Sequence, residues 1–114
     1  MPIIMTVRFW ESSPNNSPVQ NFISNLDVKT QKKIIDILDR CETWDINLLY
    51  RSEILKKLNN GLCEIRIYFN KMIYRIICVI KQATIWLLHI FNKKTDKTPD
   101  RELKTAQARA KFIN

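Results

Sequence analysis

Glycine is nearly missing from this chain of 114 residues, with Gly61 the only one. Glycine-rich phosphate cradles of the P-loop or dinucleotide-binding kind need several, so both are excluded. Cysteine occurs only at Cys41, Cys63 and Cys78, in no CxxC or other metal-ligand spacing. An odd number of thiols in a short chain argues against a disulfide scaffold and fits a reducing cytoplasm. Long apolar runs are missing too. The longest, Ile73 to Ile80, is interrupted by Arg75, is too short to span a bilayer, and no signal-peptide pattern precedes it. Histidine occurs once, at His89, and no tyrosine follows Tyr74. No metal, small-molecule cofactor or membrane is expected from these residues.

What the chain does have is apolar residues (46%), enough for the core of a single domain over 1–114, and an excess of positive charge. Residues 1–60 carry 8 Lys/Arg against 7 Asp/Glu, whereas 61–114 carry 11 against 4. The second half therefore projects a positive field that raises the local concentration of polyanions. Nucleic acid, an acidic protein and an anionic surface all qualify, and so does a basic face that serves solubility alone.

The hydrophobic pattern predicts an α+β chain. Ile3, Met5, Val7 and Phe9 alternate with polar residues as in a half-buried strand. Ser17-Pro18 reads as an N-cap and first helical position, followed by Val19, Phe22, Ile23 and Leu26 on one helical face. Asp27 caps a second helix with Val28, Ile34, Ile35, Leu38 and Cys41 close to one face, so the two form a helical hairpin. Residues 45–60 show no clear period and read as a loop with one helical turn. Strand-like runs follow at Leu62 to Phe69, Met72 to Ile80 and Ala83 or Thr84 to Phe91, joined by short turns. Thr98-Pro99 opens a last helix, with Asp100 and Glu102 at its positive end. The order is β-α-α-β-β-β-α. The simplest architecture is a four-stranded antiparallel sheet, with the N-terminal helical hairpin on one face, a C-terminal helix, and the other face open.

A two-residue turn at Asn70-Lys71 places Arg66 directly opposite Arg75, on the face away from Cys63, Ile65 and Ile67. Two like charges so close are unfavourable unless an anion lies between them. A phosphate fits, because guanidinium donates paired hydrogen bonds to its oxygens. The plainer reading is that Glu64 and nearby carboxylates neutralise the arginines on an exposed sheet face. Lys93-Lys94 leaves the last strand at the rim of the same sheet, where it either binds phosphate or is merely solvated. The orientation of His89 depends on the second hairpin. A two-residue loop at Lys81-Gln82 pairs Arg75 with Leu88 and turns His89 towards the helices. A three-residue loop pairs Arg75 with His89 and puts the imidazole among the cations. Tyr68 and Tyr74 are candidates for base stacking, whereas Trp10, Trp44 and Trp86 read as packing residues.

The segment Leu58-Asn-Asn-Gly-Leu-Cys-Glu-Ile-Arg66, then Tyr74-Arg75, then Leu87-Leu-His-Ile-Phe-Asn-Lys-Lys-Thr95, with Thr98-Pro99 and Ala106 to Arg109, resembles phage-derived HigB-like toxins of the RelE/ParE superfamily. The resemblance covers about residues 55 to 110 and rests on the combination of these pieces. It implies the RelE-like fold and a toxin neutralised by a cognate antitoxin, often a helix-turn-helix protein. It also implies metal-independent cleavage of mRNA on the ribosome. Arg66, Arg75 and Lys94 fall on its basic catalytic positions, and His89 is a fourth candidate because histidine serves in some relatives. Lys93, Lys97, Tyr68, Lys56, Lys57 and Arg109 are then expected to bind RNA. RelE-type nucleases often carry a tyrosine on the C-terminal segment, and this chain departs from that pattern. The alternative on the same fold is a non-nuclease toxin, either a ParE-like gyrase inhibitor or an inactive protein that binds its antitoxin.

Overall fold

The computed structural model describes residues 2–93 and 97–113. Along the chain run β1 (Thr6–Phe9), α1 (Pro18–Ser24), α2 (Val28–Thr43), α3 (Ile46–Arg51), β2 (Leu55–Lys57), β3 (Leu62–Phe69), β4 (Met72–Lys81), β5 (Thr84–Asn92) and α4 (Asp100–Ala110). The class is α+β as expected, but the sheet has five strands in the order β1-β5-β4-β3-β2 and is mixed, because β1 runs parallel to β5. The additional strand, β2, lies in the stretch read as a loop. Its three residues pair with Cys63–Ile65 of β3, too short a run for any alternation to register.

The caps act where the sequence places them at two helices. Ser17 Oγ accepts from the Gln20 amide at 3.1 Å, and the Asp27 carboxylate accepts from the backbone and hydroxyl of Thr30. The last helix differs. It begins at Asp100 with Pro99 as N-cap and no side-chain cap bond, because the Thr98 hydroxyl donates to Glu64 instead. On α2 the buried positions are Thr30, Ile34, Ile37, Leu38 and Cys41, so the expected stripe is rotated. Val28 is 78% and Ile35 50% exposed.

Two cores sandwich the sheet. On one face α1, α2 and α3 pack Val19, Ile23, Ile34, Leu38 and Leu49 against Ile65, Ile67, Ile76, Ile85 and Leu87. Fully burying one such aliphatic side chain is worth about 1.5–3 kcal/mol. The other face, expected to be open, is covered by α4, whose Ala106, Leu103 and Ala110 pack on Leu62, Ile77, Val79, Leu88 and Phe91. This accounts for the near-continuous apolar run Ile76-Ile77-Cys78-Val79-Ile80 in β4, since a strand covered on both sides has no polar face to alternate with. At the β1 edge, the Val7 amide donates to Glu42 of α2 at 3.1 Å, which occupies a group that could otherwise pair with a foreign strand.

Both hairpins close with two-residue turns of positive φ, Asn70-Lys71 (53° and 65°) and Gln82-Ala83 (49° and 59°), the primed geometry that matches strand twist. The first sets Arg66 opposite Arg75. The second is displaced by one residue from the expected loop, and the β4–β5 ladder then shifts between Ile77 and Cys78. Cys78 faces Leu87 and Ile77 faces His89, so Leu88 is an extra residue, a β-bulge. Arg75 consequently pairs with Phe91, with neither Leu88 nor His89.

Candidate functional site

Arg66, Glu64 and Arg75 sit on the α4 side of the sheet, but the expected exposed arginine face does not exist. The side chains of Arg75 and Glu64 are fully buried and that of Arg66 is 11% exposed. The anion between the arginines is Glu64. Its Oε1 lies 2.6 Å from Arg66 Nε and 4.0 Å from Arg75 Nη1, and its Oε2 accepts from the Thr98 hydroxyl at 2.8 Å. The chain entering α4 thus crosses back over β3 and seals this cluster from water. Burial works against the Arg66 charge, but the hydrogen-bonded Glu64 carboxylate and Tyr68 outweigh it and hold the guanidinium above its ordinary pKa. Arg66 is therefore charged throughout the usual pH range.

Arg66 also has an outward aspect. It lines a pocket of about 430 Å³ together with Lys33, Tyr50, Lys56, Lys57 and Tyr68. The pocket lies beside the outer half of β3, where β2 has already ended. Lys56, Lys57 and the 58%-exposed Tyr68 are open to solvent there. Lys57 Nζ stands 5.6 Å from the centre of the Tyr50 ring, a cation–π contact. Four of the residues expected to meet RNA or phosphate therefore converge. Lys33 and Tyr50 join them without having been singled out. Lys33 looked like one of many charges on the polar face of α2, and Tyr50 lay in a stretch without period.

His89 is elsewhere. The bulge turns it to the α4 side, where Nε2 lies 3.0 Å from Glu102 Oε1 and Nδ1 lies 3.3 Å from Arg109 Nη1. In the tautomer with hydrogen on Nε2, the ring donates to Glu102 and accepts from Arg109, which engages both nitrogens. The same Arg109 Nη1 donates to the Leu88 carbonyl at 2.7 Å, the backbone group that the bulge takes out of the ladder. Arg109, expected on the RNA surface, is half-buried and fastens α4 to the bulge; burial lowers its pKa. His89 does not line the Arg66 pocket.

Of the remaining candidates, Lys93 is half-exposed and its amide extends the ladder to Ile73 O at 3.1 Å, while Lys97 is exposed. Lys94 lies outside the described residues. The three cysteines are buried free thiols, and burial pushes that of Cys41 up to about 12. Among the described residues no group of three or more metal-ligating side chains comes together, and no helix is long and apolar enough to cross a membrane.

What the arrangement offers chemically is a wet, cationic, tyrosine-lined pocket at the β3 edge, with Arg66, whose guanidinium is held by a buried carboxylate, among its lining residues. Such a pocket suits a phosphate flanked by bases. Comparison with curated proteins returns no match. Residues 21–111 match the family model described as phage derived protein Gp49-like (DUF891), which spans most of the chain and both faces of the sheet. The chain belongs to this Gp49-like family of phage-derived proteins, a RelE/HigB-like toxin family.

Proposed function

We propose that the protein is the toxin of a toxin–antitoxin pair and acts in the cytoplasm as a metal-independent endoribonuclease on mRNA held by the ribosome. The observation that carries this is the Arg66 pocket, where Lys33, Lys56, Lys57 and Arg66 gather beside Tyr50 and Tyr68. In the reaction the ribose 2′-oxygen bonds to the adjacent phosphorus and the bond from phosphorus to the 5′-oxygen breaks. This leaves a cyclic phosphate and a 5′-hydroxyl. The 2′-proton is lost to a base and the 5′-oxygen gains one. Arg66 is the transition-state stabiliser, because Glu64 holds it in place before charge develops on the phosphoryl oxygens. Lys56 and Lys57 bind flanking phosphates, and Tyr68 stacks on a base. His89 is engaged at both nitrogens, which favours proton transfer through the cations and ribosomal groups over an imidazole base. The antitoxin is a cognate protein, of helix-turn-helix type by family resemblance.

The test is brief induction in cells with mapping of mRNA 5′ ends. Codon-linked new ends that disappear in Arg66→Ala, with growth inhibition lost in the same variant, are expected. The second reading, a gyrase-directed or inactive toxin, draws on the burial of Arg75 and the engagement of His89. DNA damage with intact mRNA would favour the gyrase-directed toxin, intact mRNA without DNA damage or growth inhibition the inactive one, and either would overturn the nuclease.

A further inference from the structure

At the opposite end of α4, another groove is built from aromatic rings and cations. It has a volume of about 690 Å³ and lies along the β1 edge. Trp10, Trp86 and Phe112 line it, with Arg8 and Lys81. Phe112 is 77% exposed although it is among the largest apolar side chains in the protein. It stands 6.2 Å from Trp10 with the rings inclined at 39°, a tilted pair that leaves the rest of the Phe112 ring open to solvent. Each tryptophan already carries a guanidinium. Arg8 Cζ is 5.9 Å from the centre of the Trp86 ring, and Arg109 Cζ is 5.2 Å from that of Trp10.

The tryptophans were expected to be packing residues, and their inner edges do pack beneath α4. Packing alone does not account for Phe112, which hangs over the groove beyond the end of the helix and buries little. Nor does it account for the pairing of rings with cations. A purely apolar partner surface has no use for charge at its centre, and a purely electrostatic one has no use for three rings. One exposed and two half-buried aromatic rings interleaved with guanidinium groups are the chemistry of a base stacked beside its own phosphate. Among the described residues one carboxylate, Glu11, lines the groove against Arg8 and Lys81.

We propose that this groove is a second binding site for single-stranded RNA, which seats bases on Trp86 and on the exposed ring of Phe112 and phosphates on Arg8 and Lys81. Its choice of RNA as ligand rests on the proposed function, but the groove is separate from the Arg66 pocket and shares no residue with it. Trp86 is three residues before His89 on β5 and on the same side of the sheet, about 10 Å away at the rise of a strand. Arg109 links the groove to His89 by way of the other tryptophan, since one guanidinium touches both His89 and Trp10. The groove adds affinity and holds a stretch of the strand outside the cleavage pocket. Stacking on aromatic side chains tolerates any base, so the groove contributes little sequence preference.

The experiment titrates purified protein with short single-stranded oligoadenylate and oligouridylate and reads both tryptophan quenching and anisotropy of a labelled strand. Phe112→Ala and Arg8→Gln change exposed side chains, so both variants fold. Each is expected to weaken binding, roughly tenfold for the lost ring, with Arg8→Gln also flattening the salt dependence by somewhat less than one unit of slope. Trp86→Phe keeps a stacking face, so binding persists while the quench shrinks. Arg66→Ala leaves the quench in place. Parent-like affinity in both Phe112→Ala and Arg8→Gln, or binding without quench, overturns the proposal. So does concentration-dependent dimerisation that Phe112→Ala abolishes, since the groove would then be a protein interface. Failure of the nuclease reading has a different signature, namely oligonucleotide binding in the groove with no new mRNA ends.

Discussion

Glu64→Gln removes one negative charge from a position that water does not reach. The carboxylate touches Arg66 at 2.6 Å and Thr98 at 2.8 Å, and lies 4.0 Å from the fully buried Arg75. Breaking a buried charge pair on one side costs about 3–5 kcal/mol, because the other charge stays desolvated. Glutamine retains a carbonyl oxygen as acceptor for Thr98 or Arg66, so the lower end, about 3 kcal/mol, is expected. That is a large share of the roughly 5–15 kcal/mol by which a domain of this size is stable. With a urea slope of about 1–3 kcal/mol/M, the unfolding midpoint falls by about 1–3 M at unchanged slope. Tryptophan fluorescence during urea titration measures it. The double variant Glu64→Leu with Arg75→Met removes the two fully buried charges and is expected to regain part of the loss, since an apolar replacement of a buried pair is often neutral or better, whereas the contact with Arg66 stays lost. A Glu64→Gln midpoint within roughly 0.3 M of the parent refutes the assignment of Glu64 as the counter-charge. The result also bears on the choice of variants: Arg75→Ala is expected to unfold the protein, and Arg66→Ala takes from the buried Glu64 its contact at 2.6 Å, so growth inhibition in either variant is read beside its urea midpoint.

Ile34→Ala should cost about 2–5 kcal/mol because Ile34 is fully buried, whereas Ile35→Ala, at a site 50% exposed, should stay within about 0.5 kcal/mol; thermal or urea unfolding of the two variants separates them, and equal losses would show that α2 is rotated from the orientation described. The thiols supply an independent check on the core. Cys41, Cys63 and Cys78 are buried, and burial raises Cys41 to about 12 and Cys78 well above its ordinary value. Since the thiolate is the reacting form, a disulfide reagent at pH 8 should label none of the three in the native protein and all three in urea. Rapid native labelling of any of them would contradict the packing.

The elements legible in the sequence are those with a period or a capping residue. Ser17 and Asp27 mark two helix starts, and the strand runs 62–69, 72–80 and 84–91 match β3, β4 and β5 to within a residue or so. The turn at Asn70-Lys71 was enough to set Arg66 against Arg75. What stayed hidden is whatever depends on a partner far along the chain. Three residues of β2 have no period of their own and are a strand only because β3 is beside them. The covering of the second face was visible in principle, since Ile76 to Ile80 has no polar alternate, although Arg66 and Arg75 give the same face the charge of an exposed one.

His89 shows why the site was harder to read than the fold. Side chains alternate along a strand, so one extra residue moves every later one to the other face. No count along β5 reveals the bulge at Leu88, because Leu87, Leu88 and Ile90 suit either face equally well. The bulge is tolerated because Arg109, 21 residues further on, donates to the carbonyl it strands and at the same time meets the imidazole it exposes. The orientation of His89 is therefore written in α4, and the register of β5 follows from the docking of a helix made after it.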